Sequence, residues 1–361
     1  MPSYKNPNWL YLYNAAKLGF SGGSSLHLEE TPLNESVLKD LQTSVSILAR
    51  YAEDGRAISS FTEDMEPTMA RALRIDLLKP LTLVHTLNGT FGAVDCSSIP
   101  LLVGQNFGAY VLRVSSAIVN RDRQVTLSHK EHVFTVTGDE LKRQKALEAA
   151  RSEYESQMGL FLTERLVEKD YLLLDGVSFF GGPRRFSVDL YEKAKQRKIN
   201  LLTLAKNTKA MTAKGTDFIT TLLVERDFGT WLYHPYLKAD IKEHRYGDIS
   251  FVKLHPSALA AFRCDIPEYL TENDIGDLVS PLTALAEDAR CLGYPVCLFL
   301  AHRNTQVPSP KMLYYRDELE KMLAAQPFIY RKILLEEKVS SFRRQMYGVK
   351  NIWDWEKAGI V

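Results

Sequence analysis

The sequence has no Cys-x-x-Cys pair: its four cysteines, Cys96, Cys264, Cys291 and Cys297, stand at spacings that exclude a paired-cysteine zinc motif. Net charge is nearly absent as well, with 45 Lys and Arg against 44 Asp and Glu, which excludes the broad basic field of histone-like or ribosomal proteins. No apolar run approaches the roughly 20 residues of a membrane helix. The longest, residues 171–174 and 295–301, have strand length, so no membrane association is expected. The first residues form no basic-then-apolar leader, and a reducing cytoplasm is the expected compartment. A serine-nucleophile elbow, a Walker lysine motif, a dinucleotide glycine fingerprint and any His-x-His or His-x-x-x-His spacing are all missing. Self-contained P-loop ATPases, Rossmann enzymes and zinc sites of those kinds lose their support. What remains is an ordinary globular composition, 45% hydrophobic and 25% charged over 361 residues, enough for one large domain or two modest ones.

Residues 1–80 read as a helical elaboration with a join at the Ser-Gly-Gly-Ser-Ser of 21–25, because Val37, Leu38, Leu41, Val45 and Leu48 recur at helical spacing. From residue 81 the period changes. Strands are expected at 81–87, 91–95, 109–119 and 124–136, with a hairpin turn at 120–123. Residues 139–169, rich in Ala, Glu, Lys, Arg and Leu and free of proline, predict a long helix capped by Asp139. A strand at 171–175, a helix at 188–197 and a strand at 199–205 follow, a strand–helix–strand order that predicts parallel pairing. Further strands are expected at 249–255, 261–266 and 296–302, and helix over 311–347 with a break near Pro327. The boundaries expected are thus 1–80 for the N-terminal elaboration, 81–306 for the main domain and 307–361 for a helical extension that packs on that domain or on a partner.

Asp95 and Asp175 each end an apolar run and are followed by small residues, Cys96-Ser97-Ser98 and Gly176-Val177-Ser178. Acids placed beyond the carboxyl ends of neighbouring strands lie where open sheets containing parallel strands build their sites. A third acid can come from the long helix. Glu155 shares a face with Met158, Leu162 and Leu166, whereas Glu153 shares one with Gln157, Leu160 and Glu164, so Glu155 is preferred and Glu153 is the alternative. Three such acids make an oxygen-rich cluster suited to Mg²⁺ or Mn²⁺, and two ions about 3.5–4 Å apart can activate water against a phosphodiester. Strand with Asp, antiparallel hairpin, helix with Glu, then parallel strand with Asp is the order of a ribonuclease H-like α/β fold, here with flanking helices and helical N- and C-terminal elaborations.

In these blocks the chain resembles the NurA nucleases. Val94-Asp95-Cys96-Ser97 is similar to the family's Val-Asp-Gly-Ser, with Cys96 in place of glycine. Leu174-Asp175-Gly176-Val177-Ser178 is similar to its Leu-Asp-Gly-Ser, with Val177 added, and Leu204-Ala205-Lys206 to its strand with a lysine. Gly293-Tyr294-Pro295 followed by Leu300-Ala301-His302 resembles the Gly-Tyr-Pro, apolar run and Ala-His near the end of the domain. The resemblance spans roughly 81–306 and implies a Mn²⁺-dependent DNA nuclease with single-strand endonuclease and 5′-to-3′ exonuclease activity. It also implies a homodimer working beside a HerA-type hexameric ATPase in DNA end processing. By position, Asp95, Glu155, Asp175 and His302 would hold metal and Lys206 would face the scissile phosphate; His302 is left open between ligand and proton carrier.

From Lys193 to Lys214 the chain carries seven basic residues and no acidic one. With Arg184 and Arg185, the stretch containing Lys206 and Lys209 is expected to follow a single-stranded or end-containing DNA backbone, and Phe179, Phe180 and Phe186 to stack on bases. Two other readings compete: a non-catalytic nuclease-like subunit of an ATPase assembly, and an actin- or sugar-kinase-like ATPase, the latter weakened by the lack of glycine-rich phosphate loops at Asp95 and Asp175.

Overall fold

β-Branched and aromatic residues recur through the three long strands of residues 91–137, which set the framework. The computed structural model describes residues 35–54, 69–181, 186–206, 208–226 and 229–347, with side chains to 341. It begins with α1 (Glu35–Asp54), β1 (Met69–Arg71) and β2 (Leu78–Pro80). Three long strands follow, β3 (Phe91–Val103), β4 (Phe107–Val119) and β5 (Val125–Thr137), then the helix α2 (Glu140–Thr163). The middle contains β6 (Tyr171–Asp175), α3 (Val188–Gln196), β7 (Asn200–Ala205), β8 (Ala210–Thr212) and α4 (Phe218–Glu225). The remainder is β9 (Trp231–Leu237), β10 (Gly247–Lys253), β11 (Phe262–Pro267), α5 (Ile275–Val279), α6 (Leu282–Leu285), α7 (Val296–Asn304), α8 (Ser309–Ala324) and α9 (Pro327–Tyr347). Everything from Ser36 onward falls in one unit. Among the described residues no helix is long and apolar enough to cross a membrane.

Nine strands form one sheet in the order β2-β9-β10-β11-β7-β6-β3-β4-β5, and β1 pairs with β8 apart from it. The pairs β3–β6 and β6–β7 are parallel, as the strand–helix–strand order predicts, and the other pairs of this sheet are antiparallel. β5-β4-β3-β6-β7 is the ribonuclease H-like core. The expected hairpin turn closes with Asn120 N–H donating to Gln124 O, 3.1 Å, and the Asn120 carboxamide oxygen accepting from the Asp122 and Gln124 amides.

Both faces of the core are covered, which is why its central strands read as nearly continuous apolar runs. On one face Leu147, Met158, Leu162 and Leu166 pack on Val94, Cys96, Leu112, Val114, Leu172 and Leu174. Gly92 permits this closeness: a Cβ there would lie 3.2 Å from Leu162 and 3.3 Å from Leu166. On the other face Val279, Leu282, Leu285, Cys297, Leu298 and Ala301 pack on Phe91, Ala93, Ala117, Leu173 and Leu202. α2 starts at its expected cap, the Asp139 carboxylate accepting from Lys142 N–H at 2.9 Å.

Three expectations are corrected. Residues 296–302 form helix α7 rather than a strand: Pro295 caps it, and its buried Cys297, Leu298 and Ala301 follow helical spacing instead of alternation. Residues 81–87 are irregular, and residues 1–80 contain the short strands β1 and β2 besides α1. The strand β9 was not anticipated, because Pro235 interrupts its aromatic run. The join at 21–25 lies outside the described residues.

Candidate active site

β3 and β6 run parallel in register until Val94 faces Leu174. The next residue of each is an acid, Asp95 and Asp175. There the two strands part: β3 continues paired to β4, while β6 ends at Asp175 and turns at Gly176, whose φ of +149° only glycine adopts easily. Cys96, where the family resemblance has a glycine, is ordinary strand and needs no such freedom. Between the parted strands the helix α2 brings in Glu155. Its Oε1 accepts from the Cys96 amide at 2.9 Å, a donor that Asp95 Oδ1 shares at 2.8 Å. Glu153 is exposed and accepts instead from Gln157 Nε2, so of the two candidates Glu155 is the one facing the sheet.

Asp95 and Glu155 are 4% and 6% exposed. Burial pushes the Glu155 carboxyl up to about 8; Arg151 opposes the shift, and Asp95 and Asp175 add to it. His302 Nδ1 lies 2.7 Å from Asp95 Oδ2, and Lys206 Nζ 2.8 Å from Asp175 Oδ2. Lys206 directly follows β7, beside β6, and His302 projects from α7 across Asp95. Thus the five residues expected to act together, Asp95, Glu155, Asp175, Lys206 and His302, meet at one end of the sheet.

Two further side chains belong to this site and carried no role from the sequence. Arg151, one turn before Glu155 on α2, donates from Nε to Cys96 O at 2.8 Å. Tyr294 lies with its ring 5.0 Å from Lys206 Nζ and its hydroxyl buried beside Asp175. Burial raises that phenol far above its usual value, and Asp175 and Asp95 raise it further. The i, i+4 spacing to Glu155 is the one signal that could have marked Arg151; the Gly-Tyr-Pro block contained Tyr294 without giving it a role.

Among the described residues, no three His, Cys, Asp or Glu side chains are drawn together as a preformed metal cage. The acids are held instead by cations and hydrogen-bond donors: Asp95 by His302 and the Cys96 amide, Asp175 by Lys206. The donor set still suits a hard divalent cation. It offers carboxylate oxygens from two strands and a helix, and the ionised form of the buried Glu155, favoured so far by Arg151 and the Cys96 amide, would be favoured further by a divalent cation.

The basic run from Lys193 to Lys214 does not form one surface. Lys195 and Lys198 lie at the amino end of β7, where they line a cavity of about 720 Å³ with Lys169, Asn200 and Tyr269. Lys206 and Lys209 lie beyond its carboxyl end, about 20 Å away by strand rise. That cavity is therefore remote from the acids. Phe180 and Phe186 are core residues packed with Tyr191, Tyr246 and each other, which removes them as base-stacking platforms; Phe179 is half-buried near Arg263. Arg184 and Arg185 lie outside the described residues.

A mixed sheet of this strand order, with acids at the carboxyl ends of its central parallel strands, defines a ribonuclease H-like fold. Within that class the fold is NurA-like. The chain is similar to the crystal structure of the NurA nuclease from Sulfolobus solfataricus, with a TM-score of 0.51 and 14% identity over 80% of this chain and 95% of that one. More distant likenesses are the catalytic domain of human endonuclease V, with TM-score 0.37, 13% identity and 81% and 99% coverage, and A. aeolicus Argonaute, with TM-score 0.34, 12% identity and 62% and 29% coverage. No family model and no curated protein matches the chain.

Proposed function

We propose that this protein is a metal-dependent DNA nuclease that hydrolyses phosphodiester bonds. The observation that carries the reading is the convergence of Asp95, Asp175 and Glu155 where β3 and β6 part, with Lys206 and His302 against two of them. Asp95, Asp175 and Glu155 would hold Mn²⁺ or Mg²⁺, with His302 as a further donor, and the ion supplies a Lewis acid that activates water and offsets charge on the phosphate. Lys206 would exchange Asp175 for a phosphate oxygen as DNA enters, its ammonium staying on the face of Tyr294. His302, held by Asp95 through Nδ1, keeps Nε2 for metal or for a proton of the leaving group.

From the sequence resemblance to the NurA nucleases we infer single-stranded DNA and DNA ends as substrates, cleaved endonucleolytically and from 5′ to 3′, and Mn²⁺ as the working metal. The same resemblance supports a homodimer acting with a HerA-type hexameric ATPase in end processing in the cytoplasm, with α1, α8 and α9 forming part of the nuclease unit or its partner surface. The test is degradation of end-labelled single-stranded DNA with Mn²⁺, Mg²⁺ or EDTA by the native protein and by Asp175→Asn. Cleavage is expected with metal only, and the substitution should slow it by about 100-fold or more. A folded native protein that cuts in neither metal would overturn the proposal.

A further inference from the structure

Arg151 stands out among the groups around the acids because it is a cation that, among the described residues, makes no close ion pair with any of them. Its Nε is fixed on Cys96 O at 2.8 Å, so the Cys96 peptide is gripped on both sides, its N–H by Asp95 and Glu155 and its carbonyl by Arg151. The guanidinium also meets the Cys96 thiol but makes no close ion pair with a carboxylate among the described residues, and the side chain is largely buried without being closed off. The guanidinium nonetheless lies within the electrostatic reach of Glu155, Asp95 and Asp175 together.

We propose that Arg151 takes the place of a second divalent ion: the site holds one metal, and the guanidinium, which no carboxylate pairs with closely, receives the phosphate. This rests on the nuclease reading above and replaces the two ions expected from the sequence with one. Formal charge decides the number. Three carboxylates with Arg151 and Lys206 leave −1, His302 set aside. One divalent ion brings the site to +1, which complements a single phosphodiester, whereas two bring it to +3 with a fixed guanidinium beside them. The planar fork of an arginine suits two phosphate oxygens at once, a geometry that an ammonium cannot reproduce.

Calorimetric titration of the full chain with Mn²⁺, read beside cleavage of single-stranded DNA, tests this. The native protein should bind one Mn²⁺ that Asp95→Asn abolishes. Arg151→Gln keeps an N–H donor for Cys96 O but removes the charge; it should take up a second Mn²⁺ or bind the first about tenfold more tightly, and cleave about 10- to 100-fold more slowly. Arg151→Lys should keep a count of one. A merely structural role for Arg151 would leave the count and affinity of Arg151→Gln unchanged, and that result overturns the proposal. Two ions bound by an active native protein would also overturn it while leaving the nuclease intact, whereas no bound Mn²⁺ and no cleavage would defeat both.

Discussion

A carboxyl group buried beside other acids keeps its proton to higher pH than an exposed one, and Glu155 keeps it to about 8 against an ordinary 4.5. Between those values the folded protein binds a proton that the unfolded chain has released. The contribution of Glu155 to metal-free stability should therefore be fully present below about 4.5 and fall as pH rises towards 8, by on the order of a few kcal/mol. Thermal melts in EDTA across that window should show the slope, and Glu155→Gln, whose amide oxygen can still accept from Cys96, should flatten it. The same pH dependence in the native protein and in Glu155→Gln would contradict this placement of Glu155. At the same scale the acids were legible in the sequence, since Asp95 and Asp175 close apolar runs and Glu155 shares the face of Met158 and Leu162. Arg151 was not, because an arginine on a helix rich in Arg, Lys and Glu looks solvated until the sheet beside it is known.

Loops that hold acids need their own supports. Three residues past Asp175, Ser178 donates from both N–H and Oγ to Asp265, at 2.9 and 3.0 Å, and Arg263 pairs with the same carboxylate at 2.7 Å. Arg263 and Asp265 are both fully buried on β11. Asp265→Leu should cost about 3–5 kcal/mol, because it leaves Arg263 without its carboxylate in the core. Arg263→Met with Asp265→Leu should recover much of the stability yet cleave slowly, since Ser178 is still released. Denaturant melts with cleavage assays separate the two effects, and a fully active double variant would show that Ser178 does not position Asp175. The helix α7 depends on similar anchors: Asn304 donates to Ser115 Oγ and Ser128 O, and Ser97 Oγ to Thr305 O. Those bonds fix His302 against Asp95. They span residues some 200 positions apart, so no local pattern revealed them, and the apolar run 296–301 read as a strand for want of the tertiary partners that choose between the two.

At the scale of the whole molecule, the ribonuclease H-like core was legible because strand and helix signals alternate in a distinctive order from residue 91 to 205. Its widening by β11, β10, β9 and β2 was only partly so: β9 carries a proline, and the three-residue β2 is too short to announce itself. Within the core, β7 also separates the basic run into two ends. Single-stranded DNA binding should weaken with salt, with a slope near −0.7 per neutralised phosphate. Lys209→Ala should reduce that slope by about 0.7, whereas Lys195→Ala, at the far end of β7, should leave it unchanged. Fluorescence anisotropy over a salt series distinguishes them, and equal effects of the two substitutions would argue against DNA lying over the acid end.

Everything proposed for the site depends on Glu155 joining Asp95 and Asp175 as a third acid rather than serving the core alone. The most direct measurement is the rate at which native protein and Glu155→Gln, both shown to be folded by their melts, cleave end-labelled single-stranded DNA in Mn²⁺. A loss of about 100-fold or more with the fold retained is expected, from the several kcal/mol that a well-held metal contributes at the transition state. Equal rates would contradict it.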